Sequence, residues 1–495
     1  MRKSMKHRIP GGLIVVLLAI ALALFMAILI KIKLLPTKFL LLAGGIFLLY
    51  AVCVFLLPRN SERVGARICG CMMTMLLLIA LMLGTPYLTR AVDTLGSITS
   101  VDVEIADMGV YVRSDSTMTQ LEDLTGGSIG MMEQLDRENS EKALTDVQSQ
   151  IGSLQVQTFA GITELIDGLL DADVDAILVN SAYLDLLADM DDYEQVNKQI
   201  RQIYTYRAET VIDKPDKKPG QTDDWDILDI FGEKEKDTGR VFTMYISGID
   251  SRSGLIAKSR SDVNILATVN VDTRQVLLVS TPRDFYVPLP ISNGIPDKLT
   301  HAGIYGIDVS MGTLEMLYGT EIDYYFRVNF SGFERIIDAL GGITVHSDYT
   351  FTAGGYSYYE GENTLNGAQA LTFARERKSF SSGDRQRGKN QMAVIEAVIQ
   401  KAMSPAILTG YMDIMESVSG SFETSMPYDM IAELVRDQLD KGGSWNVVSC
   451  SVDGTGDNKV PYSMSTSAYV MIPDQSTVDA AIAKIQQVKN GEILE

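Results

Sequence analysis

Arginine and aspartate residues recur at the ends of apolar, strand-like runs between residues 248 and 391. The motifs are Gly248-Ile-Asp250, Arg260-Ser-Asp262, Pro282-Arg-Asp284, Arg375-Glu-Arg377 and Asp384-Arg-Gln-Arg387. A guanidinium group binds two phosphate oxygens at once, and carboxylates are the oxygen ligands that Mg²⁺ or Mn²⁺ prefers. If the fold brings these side chains together, they suit a metal-bound diphosphate better than a neutral substrate.

The same residues have a second interpretation, in which they form salt bridges that tie loops together. Such pairs are common on protein surfaces and each contributes little stability. The motifs lie at strand ends or beside glycine-containing loops, not four residues apart on helix faces, which favours a site. The residue types alone leave both interpretations open. Lys298 could add a point charge to a bound phosphate, whereas His301 is expected to be a hydrogen-bonded structural residue.

Strand and helix patterns alternate around these motifs and predict a layered α/β domain over residues 240–490. Apolar runs predict strands at residues 241–249, 263–270 and 275–280, the last two joined as a hairpin. The next expected elements are a helix capped by Ser331, a short helix at 365–371, an extended segment through Arg377 and a helix at 390–403. In an extended segment, Arg375 and Arg377 would point to the same side.

Two regions lie upstream of this domain. Residues 100–210 predict a small α/β domain, and residues 211–239, rich in Asp, Lys, Pro and Gly, predict a linker or exposed excursion. The motifs Leu121-Glu-Asp-Leu-Thr-Gly126 and Asp173-Val-Asp-Ala-Ile-Leu-Val-Asn180 resemble one lobe of an extracellular solute-binding protein. We interpret the region as an accessory packing or spacer domain, because the match brings no ligand site with it.

Three apolar stretches fill most of residues 1–90, at 11–30, 39–57 and 68–88. Each is close to the ~20 residues that a bilayer-spanning helix needs, so three transmembrane helices are predicted. Basic residues precede the first and third stretches, which predicts that these flanking residues are cytoplasmic. The lysines in the loop after the first stretch favour the opposite orientation. Residues 1–90 hold 11 of the 43 basic residues and one of the 63 acidic residues, leaving a charge of about −30 beyond them. We therefore expect a multi-pass protein of the cell membrane whose large C-terminal region is extracellular.

Charge and composition exclude several classes of partner and site. The acidic C-terminal region argues against a nucleic-acid partner and against a broad surface for anionic lipids. Cys450 is the one cysteine outside the predicted membrane stretches, so that region has no disulfide framework. The chain has three histidines, which excludes a histidine-rich metal site.

A series of motifs within residues 241–403 resembles the LytR-CpsA-Psr family in consistent order. They are Arg260-Ser-Asp262, Ser280-Thr-Pro-Arg-Asp284, Lys298-Leu-Thr-His-Ala302, Ile322-Asp-Tyr-Tyr-Phe-Arg-Val-Asn-Phe330, Asp338-Ala-Leu-Gly-Gly342, Leu365-Asn-Gly367, Ala370-Leu-Thr-Phe-Ala-Arg-Glu-Arg377 and Gln391. The N-terminal helices and the accessory domain resemble the arrangement of capsule-type members. The implied fold is a layered α-β-α catalytic domain with a mixed central sheet, preceded by a small α/β accessory domain and three transmembrane helices.

The resemblance implies a membrane-anchored phosphotransferase that depends on Mg²⁺ or Mn²⁺. Members move a glycopolymer, either capsular polysaccharide or teichoic-acid-like, from a polyprenyl diphosphate carrier to a peptidoglycan hydroxyl. By motif, Asp250 and Asp262 would hold the metal. The diphosphate would be bound by Arg260, Arg283, Lys298, Arg375, Arg377, Arg387 and Gln391. Catalysis would rest on Asp262, Arg283, Arg375 and Arg377, and Asp262 could also accept the proton of the acceptor hydroxyl.

The chain departs from the family pattern at one place. Many relatives carry Arg-Gln-Gln where this chain has Asn390-Gln391-Met392, so one cation is absent, and Arg385 or Lys389 is a candidate to replace it. The lipid tail needs an apolar cavity, which residues 265–269 and 276–279 and the helix containing Phe333 are expected to line. Two other functions stay open: an envelope sensor that binds a lipid-linked ligand without turnover, and a polyprenyl diphosphate pyrophosphatase.

Overall fold

A computed structural model describes most of the chain beyond residue 102 and parts of the first 90 residues. The described ranges are 9–31, 35–60, 103–187, 195–211, 240–249, 258–404 and 420–495, with short pieces between 72 and 85 and single residues at 190, 193 and 418. The chain divides into two compact units. One comprises residues 1–99, 403–419 and 426–444, and the other comprises residues 100–402, 420–425 and 445–495.

The described part of the first unit includes helices α1 (Ile9–Lys31), α2 (Thr37–Asn60) and α12 (Tyr428–Lys441). Lys38 in the first turn of α2 pairs with Asp440 of α12 at 2.8 Å. Helices α1 and α2 overlap the first two apolar stretches of the sequence, and the third stretch lies mostly outside the described residues. Within the described ranges, no helix combines the length and the apolar character needed to cross a membrane. The structure thus does not confirm the three predicted transmembrane helices.

Residues 103–211 of the second unit form a five-stranded sheet with buried apolar clusters on both faces. The strand order is β3-β2-β4-β1-β5, and β1 runs antiparallel to both of its neighbours. Residues 212–239, which cover almost all of the predicted linker, lie outside the described residues. The strands are β1 (Val103–Arg113), β2 (Ser128–Met132), β3 (Gln155–Phe159), β4 (Ala176–Asn180) and β5 (Ile200–Val211), and the helices are α3 (Arg137–Ile151), α4 (Ile162–Leu170), α5 (Ser181–Leu187) and α6 (Val196–Gln199).

The second sheet of this unit has six strands in the order β16-β11-β6-β7-β8-β17. Strands β6 and β11 are parallel, as are β8 and β17, and the remaining pairs are antiparallel. Helices α8 (Ile307–Tyr318) and α13 (Gln475–Lys489) pack on one face, and helix α11 (Asp384–Ala402) packs on the other. The predicted layered α-β-α fold with a mixed central sheet is confirmed. The strands are β6 (Val241–Ile249), β7 (Ser261–Asn270), β8 (Gln275–Thr281), β11 (Tyr324–Asn329), β16 (Phe422–Thr424) and β17 (Asn446–Ser451).

Shorter elements connect these layers. Two-stranded sheets form between β9 and β10, β12 and β15, β13 and β14, and β18 and β19. The strands are β9 (Tyr286–Pro288), β10 (Pro296–Lys298), β12 (Ile343–Ser347), β13 (Phe351–Ala353), β14 (Tyr356–Tyr358), β15 (Gly361–Leu365), β18 (Gly454–Lys459) and β19 (Ala468–Pro473). The helices are α7 (Ala302–Tyr305), α8 (Ile307–Tyr318), α9 (Phe330–Ala339), α10 (Gly367–Arg375), α11 (Asp384–Ala402) and α13 (Gln475–Lys489).

The two faces of the central sheet differ in how completely they are covered. On the face toward α8 and α13, Tyr245 and Leu277 are fully buried. On the face toward α11, Ile265 is buried, but Met244, Ile246, Val263 and Val269 remain partly exposed. Side chains in the middle of a sheet covered on both faces are normally buried. The second face therefore retains an accessible apolar surface.

Three predicted helix boundaries are wrong. The cap of α9 is Asn329, not Ser331, because Asn329 keeps the extended backbone of β11 and its Oδ1 accepts a hydrogen bond from the Gly332 N–H at 2.8 Å. Helix α10 continues to Arg375, where an extended segment was expected, because a capping box between Asn366 and Gln369 starts a helix that has no glycine or proline after its first residue, Gly367. Helix α11 begins at residue 384, six residues before its predicted start at 390.

A buried arginine joins the two sheets of the second unit. Arg327 of β11 exposes 2% of its surface and donates hydrogen bonds to Glu104 of β1 and to Glu423 of β16. Because two carboxylates share one guanidinium, the cluster has excess negative charge when both are ionised. Burial outweighs the attraction of Arg327 and raises the pKa of Glu423 to about 7. Burial alone would lower the pKa of Arg327, but the two glutamates raise it.

The raised pKa of Glu423 predicts that the stability of the fold depends on pH. The Glu423 carboxyl has a pKa of about 7 in the folded chain and 4.5 in the unfolded chain, so the folded chain binds its proton more tightly. Its contribution to the free energy of unfolding is therefore complete below pH 4.5 and is lost as pH rises through 7. Between about pH 5 and 8 we expect the free energy of unfolding of the wild type to fall on the order of 1–3 kcal/mol more than that of Glu423→Gln. Urea denaturation followed by circular dichroism measures this difference, and equal pH dependence in both proteins would contradict it.

The buried arginine itself gives a second prediction. Arg327→Met leaves Glu104 and Glu423 without their cationic partner in the interior, so we expect its free energy of unfolding to be about 3–5 kcal/mol lower than that of the wild type in the same measurement.

Candidate active site

Several of the predicted site residues meet at one edge of the central sheet. The carboxyl ends of β6 and β8 point to this edge, and β7 starts between them, with Ile249 opposite Ser261 and Asn264 opposite Thr281. This register brings Arg260 and Asp262, at the start of β7, beside Arg283, which follows β8. Asp250 follows β6 in the sequence but lies outside the described residues. The carboxyl edge of an α/β sheet is a common position for ligands.

Arg283 and Asp262 form the central ion pair of this edge. Arg283 Nη1 donates to Asp262 Oδ1 at 2.8 Å, and their side chains are 14% and 19% exposed. Burial would raise the pKa of Asp262, but the charges of Arg283, Arg260 and Arg387 outweigh it and hold the pKa below its usual value. Asp262 therefore stays ionised at neutral pH, with three guanidinium groups around it.

Lys298 also lies at this edge, at the end of the β9–β10 hairpin. Its Nζ is 3.3 Å from Asp284 Oδ1, and Asp284 Oδ2 is 3.7 Å from Arg283 Nε. Two residues after Lys298, Thr300 donates its backbone N–H to the Arg283 carbonyl, and its hydroxyl is 3.4 Å from Asp262 Oδ1. The hairpin thus holds Lys298 within the same charged cluster, with Asp284 as its partner.

Arg375 and Arg377 both end in exposed guanidinium groups. Arg375 is the last residue of α10, and its Cζ lies 4.2 Å from the centre of the Phe330 ring, at the carboxyl end of β11. This cation–π contact holds the guanidinium without neutralising it. Within the described ranges, neither guanidinium has a hydrogen bond or ion pair to another residue. Both charges are therefore available to an anion.

Arg387 and Gln391 lie one turn apart on α11, so they share a face of this helix. The Cβ position at Gly388 lies 3.4 Å from Ser280 Oγ, which places the first turns of α11 against the end of β8. Arg387 also lowers the pKa of Asp262, as expected of a nearby positive charge. The early start of α11 thus brings Arg387 to the edge on a helix instead of on the predicted loop.

Asn390, at the predicted departure from the family pattern, is 4% exposed and lies in the interior. Its Nδ2 donates to the Phe373 carbonyl at 3.2 Å, and its Oδ1 accepts from Gln386 at 3.1 Å. A charged side chain at this buried position would need a partner. Of the two candidates to replace the absent cation, Arg385 is paired with Asp453 at 2.8 Å, and Lys389 is exposed.

His301 is a structural residue in this fold. It is 3% exposed, and its Nδ1 lies 2.7 Å from Asp297 Oδ1 and 2.8 Å from Ser463 Oγ. Ser463 donates its own N–H to Asp297 Oδ2 at 3.0 Å. Ser463 lies in none of the sequence motifs, and Thr300 and Phe330 lie within motifs but were assigned no role, because their roles depend on contacts between distant segments.

The charged edge adjoins the accessible apolar face of the sheet. Val263 directly follows Asp262, and Met392 directly follows Gln391. Both belong to the apolar cluster between β7, β8 and α11, which also contains the predicted cavity residues Ile265 and Val276. Phe333, the other predicted lining element, packs in a different cluster with α9 and α10. The charged residues and the partly exposed apolar cluster are therefore contributed by the same strand and the same helix.

The Asp262 environment predicts a measurable change in pKa. In Arg283→Gln the largest favourable charge is removed while burial remains, so we expect the pKa of Asp262 to rise from below its usual value. Carboxyl-carbon NMR titration measures it. The control is Arg240→Gln, which removes an arginine paired with Asp272 at the opposite edge of the same sheet. An unchanged pKa in Arg283→Gln would show that this ion pair does not control Asp262.

Comparisons with known proteins identify the family of this chain. The model of the LytR_cpsA_psr family matches residues 189–486. The chain is 35% identical over 231 residues to a polyisoprenyl-teichoic acid–peptidoglycan teichoic acid transferase TagU of Oceanobacillus iheyensis, which is 45% of this chain and 69% of that protein. The Bacillus subtilis TagU is 35% identical over 216 residues, 43% of this chain and 69% of that protein.

Solved structures are also similar to this chain. The crystal structure of Bacillus subtilis TagV is 27% identical, with a TM-score of 0.43, over 50% of this chain and 96% of that one. The structure described as TagT bound to LI-WTA is 26% identical, with a TM-score of 0.41, over 52% of this chain and 94% of that one. From the extent of the family match and the identity to its relatives, the chain belongs to the LytR_cpsA_psr family.

Proposed function

We propose that this protein transfers a glycopolymer phosphate from a polyprenyl diphosphate carrier to a hydroxyl group of peptidoglycan. The observation that carries the proposal is the cluster of guanidinium groups around ionised Asp262, one residue from an accessible apolar surface. A diphosphate with a lipid chain has the same two parts in the same order. Family membership supports the reaction class, because the relatives named TagU are transferases from a polyisoprenyl-linked carrier to peptidoglycan.

The relatives' names also bear on the polymer and the location. Those relatives are named for teichoic acid, which supports a teichoic-acid-like polymer; the capsule-type assignment stays a prediction. Peptidoglycan is a partner in the cell envelope, so we propose that the catalytic domain works there, on the outer side of the membrane. The acidic charge of the region beyond residue 90 accords with this location and not with a nucleic-acid partner.

In the proposed reaction, an acceptor hydroxyl oxygen attacks the phosphorus atom that carries the glycopolymer. A new P–O bond forms, the bond to the bridging oxygen breaks, and polyprenyl phosphate leaves. Phosphoryl transfer requires mainly alignment and stabilisation of negative charge. We assign these roles to Arg260, Arg283 and Arg387 around Asp262, and to Arg375 and Arg377 at the end of α10, with Lys298 and Gln391 as further phosphate ligands. The lowered pKa of Asp262 makes it a weak base, so the hydroxyl proton passes to the departing polyprenyl phosphate, which is the stronger base.

We further propose that the site holds Mg²⁺ or Mn²⁺ through Asp262 and Asp250. Asp262 fits this role because it is ionised and lies beside the proposed phosphate ligands. The described residues contain no group of three or more His, Cys, Asp or Glu side chains that could hold a metal. Mg²⁺ is usually bound by one or two carboxylates and completed by water and substrate phosphates, which a two-aspartate site allows. When bound, the metal would neutralise charge on the diphosphate oxygens.

A transfer assay tests the proposed reaction. Full-length protein, polyprenyl-diphosphate-linked glycan, peptidoglycan and Mg²⁺ should yield linked polymer, detected by mass spectrometry after muramidase digestion. We expect Arg283→Gln and Arg375→Gln to lower the rate by about 100-fold or more, because each removes a donor to the developing charge. Arg240→Gln, at the opposite sheet edge, should keep the wild-type rate. Full activity in both site variants would refute the assignment, and release of free polymer phosphate without linkage would indicate hydrolysis.

Removal of the metal tests the cofactor. We expect EDTA to abolish transfer by the wild type and added Mg²⁺ or Mn²⁺ to restore it. In Asp262→Asn the amide keeps the shape but loses the charge, so restoration should need a much higher metal concentration. The readout is the rate as a function of free metal concentration. Transfer that is insensitive to EDTA would contradict the metal proposal and leave the arginine assignment standing.

A further inference from the structure

The accessory domain contacts the segment that carries Arg260 and Asp262. Ile105 of β1 accepts a backbone hydrogen bond from the Lys258 N–H at 2.9 Å. Lys258 stands two residues before Arg260 and four before Asp262. A strand of the accessory sheet is thus bonded directly to the chain that enters the site.

The Lys258 side chain makes a second attachment on the catalytic side. It is 9% exposed, and its Nζ donates to the Tyr305 carbonyl, at the end of α7, at 2.9 Å. The next residues pack tightly on the same helix, because a Cβ at Gly303 would lie 2.4 Å from the Ser259 carbonyl oxygen. The segment before Asp262 is therefore held between β1 and α7, with little room to shift.

Glu104, the neighbour of Ile105, secures the accessory strand in this position. Both carboxylate oxygens lie 3.2 Å from the Ile307 N–H, at the start of α8, and the same carboxylate pairs with Arg327. Gly306 has a φ of +135°, and a Cβ there would lie 2.6 Å from Glu104 Oε2. The close approach of Glu104 thus depends on a glycine at this position.

We infer that strand β1 of the accessory domain sets the position of Arg260 and Asp262, with Lys258 and Glu104 as positioning residues. Displacement of a phosphate ligand by about 1 Å is enough to lower activity strongly. The contacts of Lys258, two residues before Arg260, therefore affect activity by fixing the positions of Arg260 and Asp262. This gives the accessory domain a role in the reaction without a ligand of its own. The inference rests on the proposed function, because that function assigns Arg260 and Asp262 to the phosphate and metal site.

Binding of inorganic pyrophosphate with Mg²⁺ to the full-length protein, measured by calorimetry, tests the inference. Lys258→Met loses the bond to Tyr305, and we expect about tenfold weaker binding. Lys258→Arg keeps a cationic donor and should restore most of the affinity, which a role in folding alone does not explain when both variants melt at the wild-type temperature. Glu104→Gln, a second variant, should also bind more weakly. Arg113→Gln, which removes an exposed ion pair with Asp115 at the far end of β1, should bind as the wild type does.

Hydrogen exchange by mass spectrometry separates failure of this inference from failure of the proposed function. In Lys258→Met we expect faster exchange confined to residues 258–263, with β4 and β5 of the accessory sheet unchanged. Wild-type affinity in Lys258→Met, or unchanged exchange in that segment, overturns the positioning role. If the wild type itself binds no pyrophosphate, the diphosphate assignment fails, and the exchange result alone decides whether β1 fixes the segment.

Discussion

The electrostatic constraint at the sheet edge is that several guanidinium groups surround one ionised carboxylate. Arg283 bonds directly to Asp262, and Arg260 and Arg387 lie near enough to lower its pKa despite its burial. Asp284 is a second carboxylate beside Arg283, and Arg375 and Arg377 add exposed charge at the end of α10. Neighbouring guanidinium groups repel one another, so carboxylates or a bound anion stabilise this arrangement. The sheet topology brings these side chains together, because the ends of β6 and β8 and the start of β7 lie at the same edge.

The unequal covering of the central sheet gives this charged edge its chemical context. Helices α8 and α13 close one face, whereas Met244, Ile246 and Val263 on the other face remain partly exposed. A site for a soluble diphosphate would need only the arginines. An apolar surface that begins beside Asp262 adds room for a hydrocarbon chain, which is why we favour a lipid-linked diphosphate over a free nucleotide or pyrophosphate.

Rigidity of the edge depends on contacts far from it in the sequence. Arg327 holds a glutamate from the accessory sheet and another from β16, and removal of a partner from such a buried charge lowers stability. Through Glu104 and the Ile105 carbonyl, the accessory strand reaches the segment that leads into β7. The accessory and catalytic sheets accordingly fall in one compact unit. Asn390, at the predicted departure from the family pattern, also joins distant segments, because its uncharged side chain makes internal hydrogen bonds.

The sequence by itself determined the class of the fold and predicted which side chains could form a phosphate site. Residue types, strand periodicity and motif order predicted the layered sheet and the β7–β8 hairpin, because these depend on local alternation and turn residues. It did not determine where helices begin: the caps at Asn329 and Asn366 outweighed the predicted boundaries, and α11 starts early enough to carry Arg387. Only the tertiary structure decided which charges are paired and which are available. Asp284 engages Lys298 and Asp453 engages Arg385, while Arg375 rests on Phe330, and each contact joins segments whose proximity arises from folding alone.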